Sequence, residues 1–83
     1  EGEMLYVRIR LDSPAEIKIS VINMEGEKVV EETARHYYSE GSLVPFEKAL
    51  RIGSLAGGVY ICLVEVNTGA GKWRETRKFA IVR

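Results

Sequence analysis

The stretch Leu55-Ala56-Gly57-Gly58-Val59-Tyr60-Ile61-Cys62-Leu63-Val64-Glu65-Val66 constrains this chain more than any other. It is the longest apolar run and it opens on a Gly-Gly turn. Its β-branched and aromatic residues mark a central strand, expected to be buried on both faces. With 83 residues there is room for one domain only. A chain so short buries about 60–65% of the surface it exposes when unfolded. Every other apolar segment therefore has to pack on this strand.

The flanking segments have a period of two. From Met4 to Leu11, Leu5, Val7, Ile9 and Leu11 fall on one face and Tyr6, Arg8 and Arg10 on the other, which is a half-buried strand. Asp12-Ser13-Pro14 ends it, because Pro lacks a donor and Asp and Ser bond back to the turn. Glu16–Asn23 alternates again, with Ile17, Ile19 and Val21 to one side. Asn23-Met24-Glu25-Gly26 is a compact turn that needs positive φ at Gly26. Glu27–Ala34 follows as a third strand, its apolar content being Val29 and Val30.

Arg35–Lys48 is the least regular segment. It reads as a polar loop with a short edge strand near Arg35–Tyr38, anchored in the core by Leu43 and Phe46. Glu47–Ile52 suits a short strand with Leu50 and Ile52 inward, or a helical turn. Gly53–Gly58 is a turn region whose Leu55 plugs one end. Asn67-Thr68-Gly69-Ala70-Gly71 is a hairpin loop. In Lys72–Val82, Trp73, Glu75, Arg77, Phe79 and Ile81 alternate with Arg74, Thr76, Lys78, Ala80 and Val82, and Phe79 and Ile81 face the core. No apolar stripe of helical period runs for three turns. Six or seven short antiparallel strands with Gly- and Pro-bearing turns specify an all-β sandwich or small barrel, with two sheets of three or four strands each.

Charge balances at 12 basic against 12 acidic residues, without the basic excess of a nucleic-acid module. No apolar run approaches the ~20 residues of a spanning helix, so no membrane span is expected. A single cysteine excludes an internal disulfide.

Candidate chemistry is sparse. Cys62 sits mid-strand between Ile61 and Leu63 and reads as core filling; as a nucleophile it would need His36, the only histidine, as its base. Glu31 and Glu32 are adjacent on a strand and point to opposite faces, so they cannot chelate one ion together. Gly69-Ala70-Gly71-Lys72 lacks the length and the following helix of a phosphate loop. No catalytic, cofactor-binding or metal-ligating set can be named, and the chain reads as non-enzymatic. Two surface features remain. Tyr6, Arg8 and Arg10 on the first strand, with Lys72, Trp73, Arg74, Arg77 and Lys78 on the last, would form a basic and aromatic patch if those strands are neighbours. It would suit an anionic glycan or a partner protein. Tyr37, Tyr38 and Trp73 could stack on a sugar ring.

Three segments taken in order carry a family resemblance: Leu11 to Val30 with its Pro-bearing turn and Gly-x-x-Val hairpin, Ser54-Leu55-Ala56-Gly57-Gly58-Val59-Tyr60, and the closing Arg74-Glu75-Thr76-Arg77-Lys78-Phe79-Ala80-Ile81-Val82-Arg83. Together they resemble the Ig-like C-terminal domains of the flagellar hook-capping protein type and the C-terminal sorting domains of the type nine secretion system. The chain departs from both. It has no Asn-Pro dipeptide ahead of its first strand, and Lys48-Ala49-Leu50-Arg51-Ile52 stands where the hook-capping type has Trp-Asp-Gly.

The resemblance implies an Ig-like or fibronectin-like sandwich of six or seven strands over residues 1–83. It would be the non-catalytic C-terminal module of a larger secreted or cell-surface protein, with its export signal upstream. Its expected role is sorting, surface attachment or assembly. Its expected partners are the rest of the parent polypeptide or a secretion or surface protein. The alternative is a carbohydrate-binding accessory module.

Overall fold

The computed structural model describes residues 3–37 and 45–83. Among the described residues six strands run in order: β1 (Met4–Ile9), β2 (Ala15–Asn23), β3 (Lys28–His36), β4 (Phe46–Arg51), β5 (Gly58–Thr68) and β6 (Gly71–Ile81). They form two antiparallel sheets, β3-β2-β5-β6 and the pair β1-β4, packed as a sandwich. Six of the anticipated strands are present, and Glu47–Ile52 resolves as strand, not helical turn. The segment expected as a separate edge strand near Arg35–Tyr38 is, as far as His36, the end of β3. Tyr38 and Leu43 lie outside the described residues.

The division of strands, two against four, departs from the expected three or four per sheet. The cause is the turns. Asn23–Gly26 and Gly69-Ala70 are too short to carry a chain to another layer, so each pairs its two flanking strands in one sheet. Because β2 and β5 also pair with each other, both hairpins join the same sheet. Only β1 and β4, which sit on longer connections, remain for the other.

The first turn shows how local chemistry fixes it. Asn23 Oδ1 accepts from the backbone N–H groups of Glu25 (3.0 Å) and Glu27 (2.9 Å), and Gly26 N–H donates to the Asn23 carbonyl at 3.0 Å. Gly26 has φ +85°, the left-handed conformation that glycine adopts without steric cost. A bulge follows, since Val21 faces Val30 while Ile22 faces Lys28. Val29 is the extra residue, and it turns outward as Val30 turns toward the core.

The core lies between the sheets. β2 supplies Ala15, Ile17, Ile19 and Val21; β5 supplies Tyr60, Cys62 and Val66; β4 supplies Phe46 and Leu50; and β6 supplies Ile81. Leu5, Val7 and Ile9 of β1, with Leu11, Ile52, Leu55 and Phe79, pack against them. β5 is buried on its inner face only. Ile61, Leu63 and Glu65 on the other face are half-buried, because no second layer covers the outside of the large sheet. That corrects the expectation of burial on both faces.

The ends are tied by hydrogen bonds. The Tyr60 hydroxyl donates to the Ala56 carbonyl at 2.7 Å, and its ring stacks on Phe79 with centroids 5.7 Å apart. The Arg83 guanidinium donates to the carbonyls of Ile52 (3.0 Å), Gly53 (3.2 Å) and Leu55 (3.0 Å) and pairs with Glu3. One side chain thus joins the end of β6 to the start of β1 and to the turn after β4. A Cβ on Gly57 would sit 3.2 Å from Arg83 Cγ and 3.3 Å from the Ile81 carbonyl oxygen, so the absence of a side chain lets the chain pass beneath the arginine.

Candidate functional site

The uneven sheets leave the two sides of the sandwich unlike. On one side β4 comes up against β3. His36 meets the Phe46 ring edge-on, with centroids 6.2 Å apart, and Lys48 Nζ bridges to Glu32 at 3.7 Å. On the other side no strand lies beyond β1 among the described residues, and the inner face of β6 extends past the cover that β1 provides. Between them runs a groove of about 370 Å³. One wall is the consecutive run Leu5 to Arg10. The floor is Cys62 and Val64 of β5 with Trp73, Glu75, Arg77 and Phe79 of β6.

This groove gathers part of the basic and aromatic patch expected from the sequence and separates the rest. Tyr6, Arg8 and Arg10 line it together with Trp73 and Arg77. Lys72, Arg74 and Lys78 alternate with those β6 residues and fall on the outer face of the large sheet, where Arg74 lies beside Glu65 and Lys72 beside Asn67. Arg77 is held by Glu75 at 3.5 Å, and Arg8 turns to the outer face of the small sheet, where Glu47 holds it at 2.7 Å. Among the described residues Arg10 has no ionic partner. Trp73 is 43% exposed and Tyr6 65%.

A second, wider hollow of about 790 Å³ lies on the outer face near the Gly69-Ala70 turn, lined by Glu16, Lys18, Arg35, Glu65, Lys72 and Arg74 among others. Half of these charges are paired: Arg35 with Glu16, and Lys18 with Glu31 at 3.2 Å. The hydrogen bond from Lys18 holds the Glu31 carboxyl below its ordinary range, with Lys28 adding to the effect. The same bond raises Lys18. It is a solvated sheet face of mixed charge.

The remaining candidates are dispersed. His36 is level with Ala15 on β2, and Cys62 with Val21. Six residues of strand separate those positions, roughly 20 Å, so the imidazole is out of reach of the thiol. Burial pushes the Cys62 thiol up, away from the thiolate that a nucleophile needs. Glu31 and Glu32 point to opposite faces, one to Lys18 and Lys28 and the other to Lys48. No cluster of three metal-ligating side chains occurs among the described residues, and no helix is long and apolar enough to cross a membrane. Tyr37 follows β3 while Trp73 is on β6, at opposite edges of the four-stranded sheet. Three strand spacings put them about 14 Å apart, too far for one sugar ring.

Sequence reasoning missed the groove because it is made by an absence of cover. The clue was the alternation in Trp73-Arg74-Glu75-Thr76-Arg77, where the face continuing from Ile81 and Phe79 turns charged. Compared with family models, curated proteins and solved structures, the chain matches none.

Proposed function

We propose that the chain is a non-catalytic interaction module, the C-terminal part of a secreted or cell-surface protein, serving sorting, surface attachment or assembly. The observation that carries this reading is the open side of the sandwich. A strand edge and a partly apolar, partly charged floor face solvent together there, which is a surface suited to protein contact. The separation of Cys62 from His36 and the raised thiol favour a module without chemistry. The Ig-like part of the reading draws support from Tyr60. Its hydroxyl reaches back to the backbone of Ala56 near the start of a core strand, the arrangement called a tyrosine corner in such sandwiches. The partner is then the rest of the parent polypeptide or a protein of the secretion or surface machinery. The test is to delete residues 1–83 from the protein that carries them and follow its export and surface attachment. Loss of either is expected; export and attachment that continue unchanged overturn the reading.

A second reading, a carbohydrate-binding accessory module, is favoured by one observation: Trp73 and Tyr6 are both exposed in one groove with arginines. Titrating the isolated chain with a panel of neutral and anionic polysaccharides while following Trp73 fluorescence separates the two. Saturable quenching supports glycan binding, and its absence leaves the protein-contact reading.

A further inference from the structure

The four outer strands of this sandwich are not equally protected against pairing. Natural sheets blunt their edges with, among other devices, charged residues that point inward. Three of the four edges here carry them: Glu32 on β3 and Lys48 on β4, which meet each other, and Glu75 and Arg77 on β6. β1 is the exception, with Leu5, Val7 and Ile9 as its inward residues, all packed on the core.

The open edge of β1 also has a definite hydrogen-bonding register. Ile52 N–H donates to the Glu3 carbonyl at 3.1 Å. Opposed residues in an antiparallel pair alternate between bonded and unbonded. With Met4 opposite Arg51 and Leu5 opposite Leu50, the bonded set is therefore Glu3, Leu5, Val7 and Ile9. Met4, Tyr6, Arg8 and Arg10 then direct their backbone N–H and C=O groups away from β4, along the groove. Immunoglobulin sandwiches of constant type set four strands against three, whereas four stand against two here.

Resting on the proposed module reading, we propose that the groove between β1 and β6 is a strand-addition site. It takes one extended segment of a partner polypeptide as a third strand of the small sheet, bonded to the backbones of Tyr6 and Arg8. The segment's alternate residues face the floor. Apolar side chains there meet Cys62, Val64 and Phe79, and an acidic one of the opposite parity, on the outer face of the small sheet, falls beside Arg10. Charge selects that chemistry, since Arg8 is held by Glu47 and Arg77 by Glu75 while Arg10 has no ionic partner among the described residues. A second copy is the poorer occupant, since its β1 edge would set the same arginines, Arg8 and Arg10, against these.

The probe is an eight-residue peptide of alternating valine and threonine with one glutamate, added to the isolated chain. The readouts are amide exchange at Tyr6 and Arg8, and Trp73 fluorescence. Saturable protection of those two amides with a change in Trp73 emission is expected. N-methylation of the peptide on the bonding edge, or replacement of its glutamate by lysine, should weaken binding about tenfold or more. Arg8→Pro removes an outward N–H and leaves the β4 ladder intact, so it should abolish protection; circular dichroism checks that it folds. Arg10→Glu, which leaves the backbone untouched, should reverse the charge preference. Equal binding of the methylated peptide, protection at β3 instead, no response at millimolar peptide, or sedimentation as a dimer through this edge each overturns the proposal. If the parent protein loses attachment on deletion of residues 1–83 but keeps it with Arg8→Pro, strand addition fails and the module reading stands.

Discussion

The two sides of this sandwich are built from similar strands and end differently. Where β3 meets β4, a ring contact and a Lys–Glu bridge close the space between the sheets. Where β1 faces β6, no strand among the described residues continues the small sheet, and the floor of the large sheet is left open. Residue type does not separate them, for each side has aromatic rings and charges of both signs. The number of strands does. On the closed side the inward charges find each other across the sheets, whereas on the open side Glu75 and Arg77 pair along their own strand and leave β1 unanswered.

The comparison is tested hardest by cavity-forming substitutions. Leu50, 1% exposed under the closed half, should cost about 2–5 kcal/mol on Leu50→Ala. Trp73→Ala on the open side should cost far less despite the larger side chain, because 43% of Trp73 is already in water. Denaturant unfolding of both variants decides this, and equal losses would mean that the groove is not open.

Next come the ties that hold the shared end. Arg83→Ala removes the donors to three carbonyls and should cost about 1–3 kcal/mol, reduced by the partial exposure of the guanidinium. Gly57→Ala should weaken the same tie by pushing Arg83 aside. Thermal melts compare the two variants, and their effects should fall short of additivity in the double variant.

Two hydroxyl changes of opposite sign sharpen the picture of the large sheet. Cys62→Ser places a hydroxyl at a buried position and should destabilise by about 1–3 kcal/mol. Native-state thiol labelling should also be slow, since the thiol is 6% exposed and its pKa is raised by burial. Ser20 is fully buried between Glu31 and Leu63, and its Oγ has no hydrogen-bond partner. Ser20→Ala should therefore stabilise, by about 1 kcal/mol. Chemical denaturation reads both.

The smallest effect is electrostatic. Glu31 has a lowered carboxyl pKa, so its pairing supports the fold above the unfolded-state value and is lost as pH falls through the folded one. Lys18 is raised, so its share is present below its ordinary 10.5 and lost as pH rises through the higher folded value. Glu31→Gln should remove a small, salt-sensitive decline in stability at acid pH and leave the melting temperature near neutrality almost unchanged.

Much of this was legible in the residues. Period-two alternation located β1, β2 and β6. The Asn23–Gly26 turn and the inward set Leu5, Val7, Ile9, Ile17, Ile19 and Val21 could be read because each depends on neighbours one or two positions away. Burial of Cys62 followed from its apolar flanks. The groove was legible only in fragments. Tyr6, Arg8, Arg10, Trp73 and Arg77 were each visible as exposed candidates, and the alternation along the last strand was plain, but whether β1 lies beside β6 is a long-range fact. Burial of β5 on both faces was overestimated because hydrophobicity does not say whether a second layer exists.

The sequence by itself determined that the chain is all-β, where its turns fall and which face of each strand is apolar, since propensity, turn chemistry and alternation are local. Tertiary structure alone decided that both hairpins enter one sheet, that only β1 and β4 are left to cover it, and that the shortfall is on the β1 side. Pairing between distant strands sets those outcomes. A strand carries the same alternation whether its edge is filled or bare, so no local pattern records which edge is left without a neighbour.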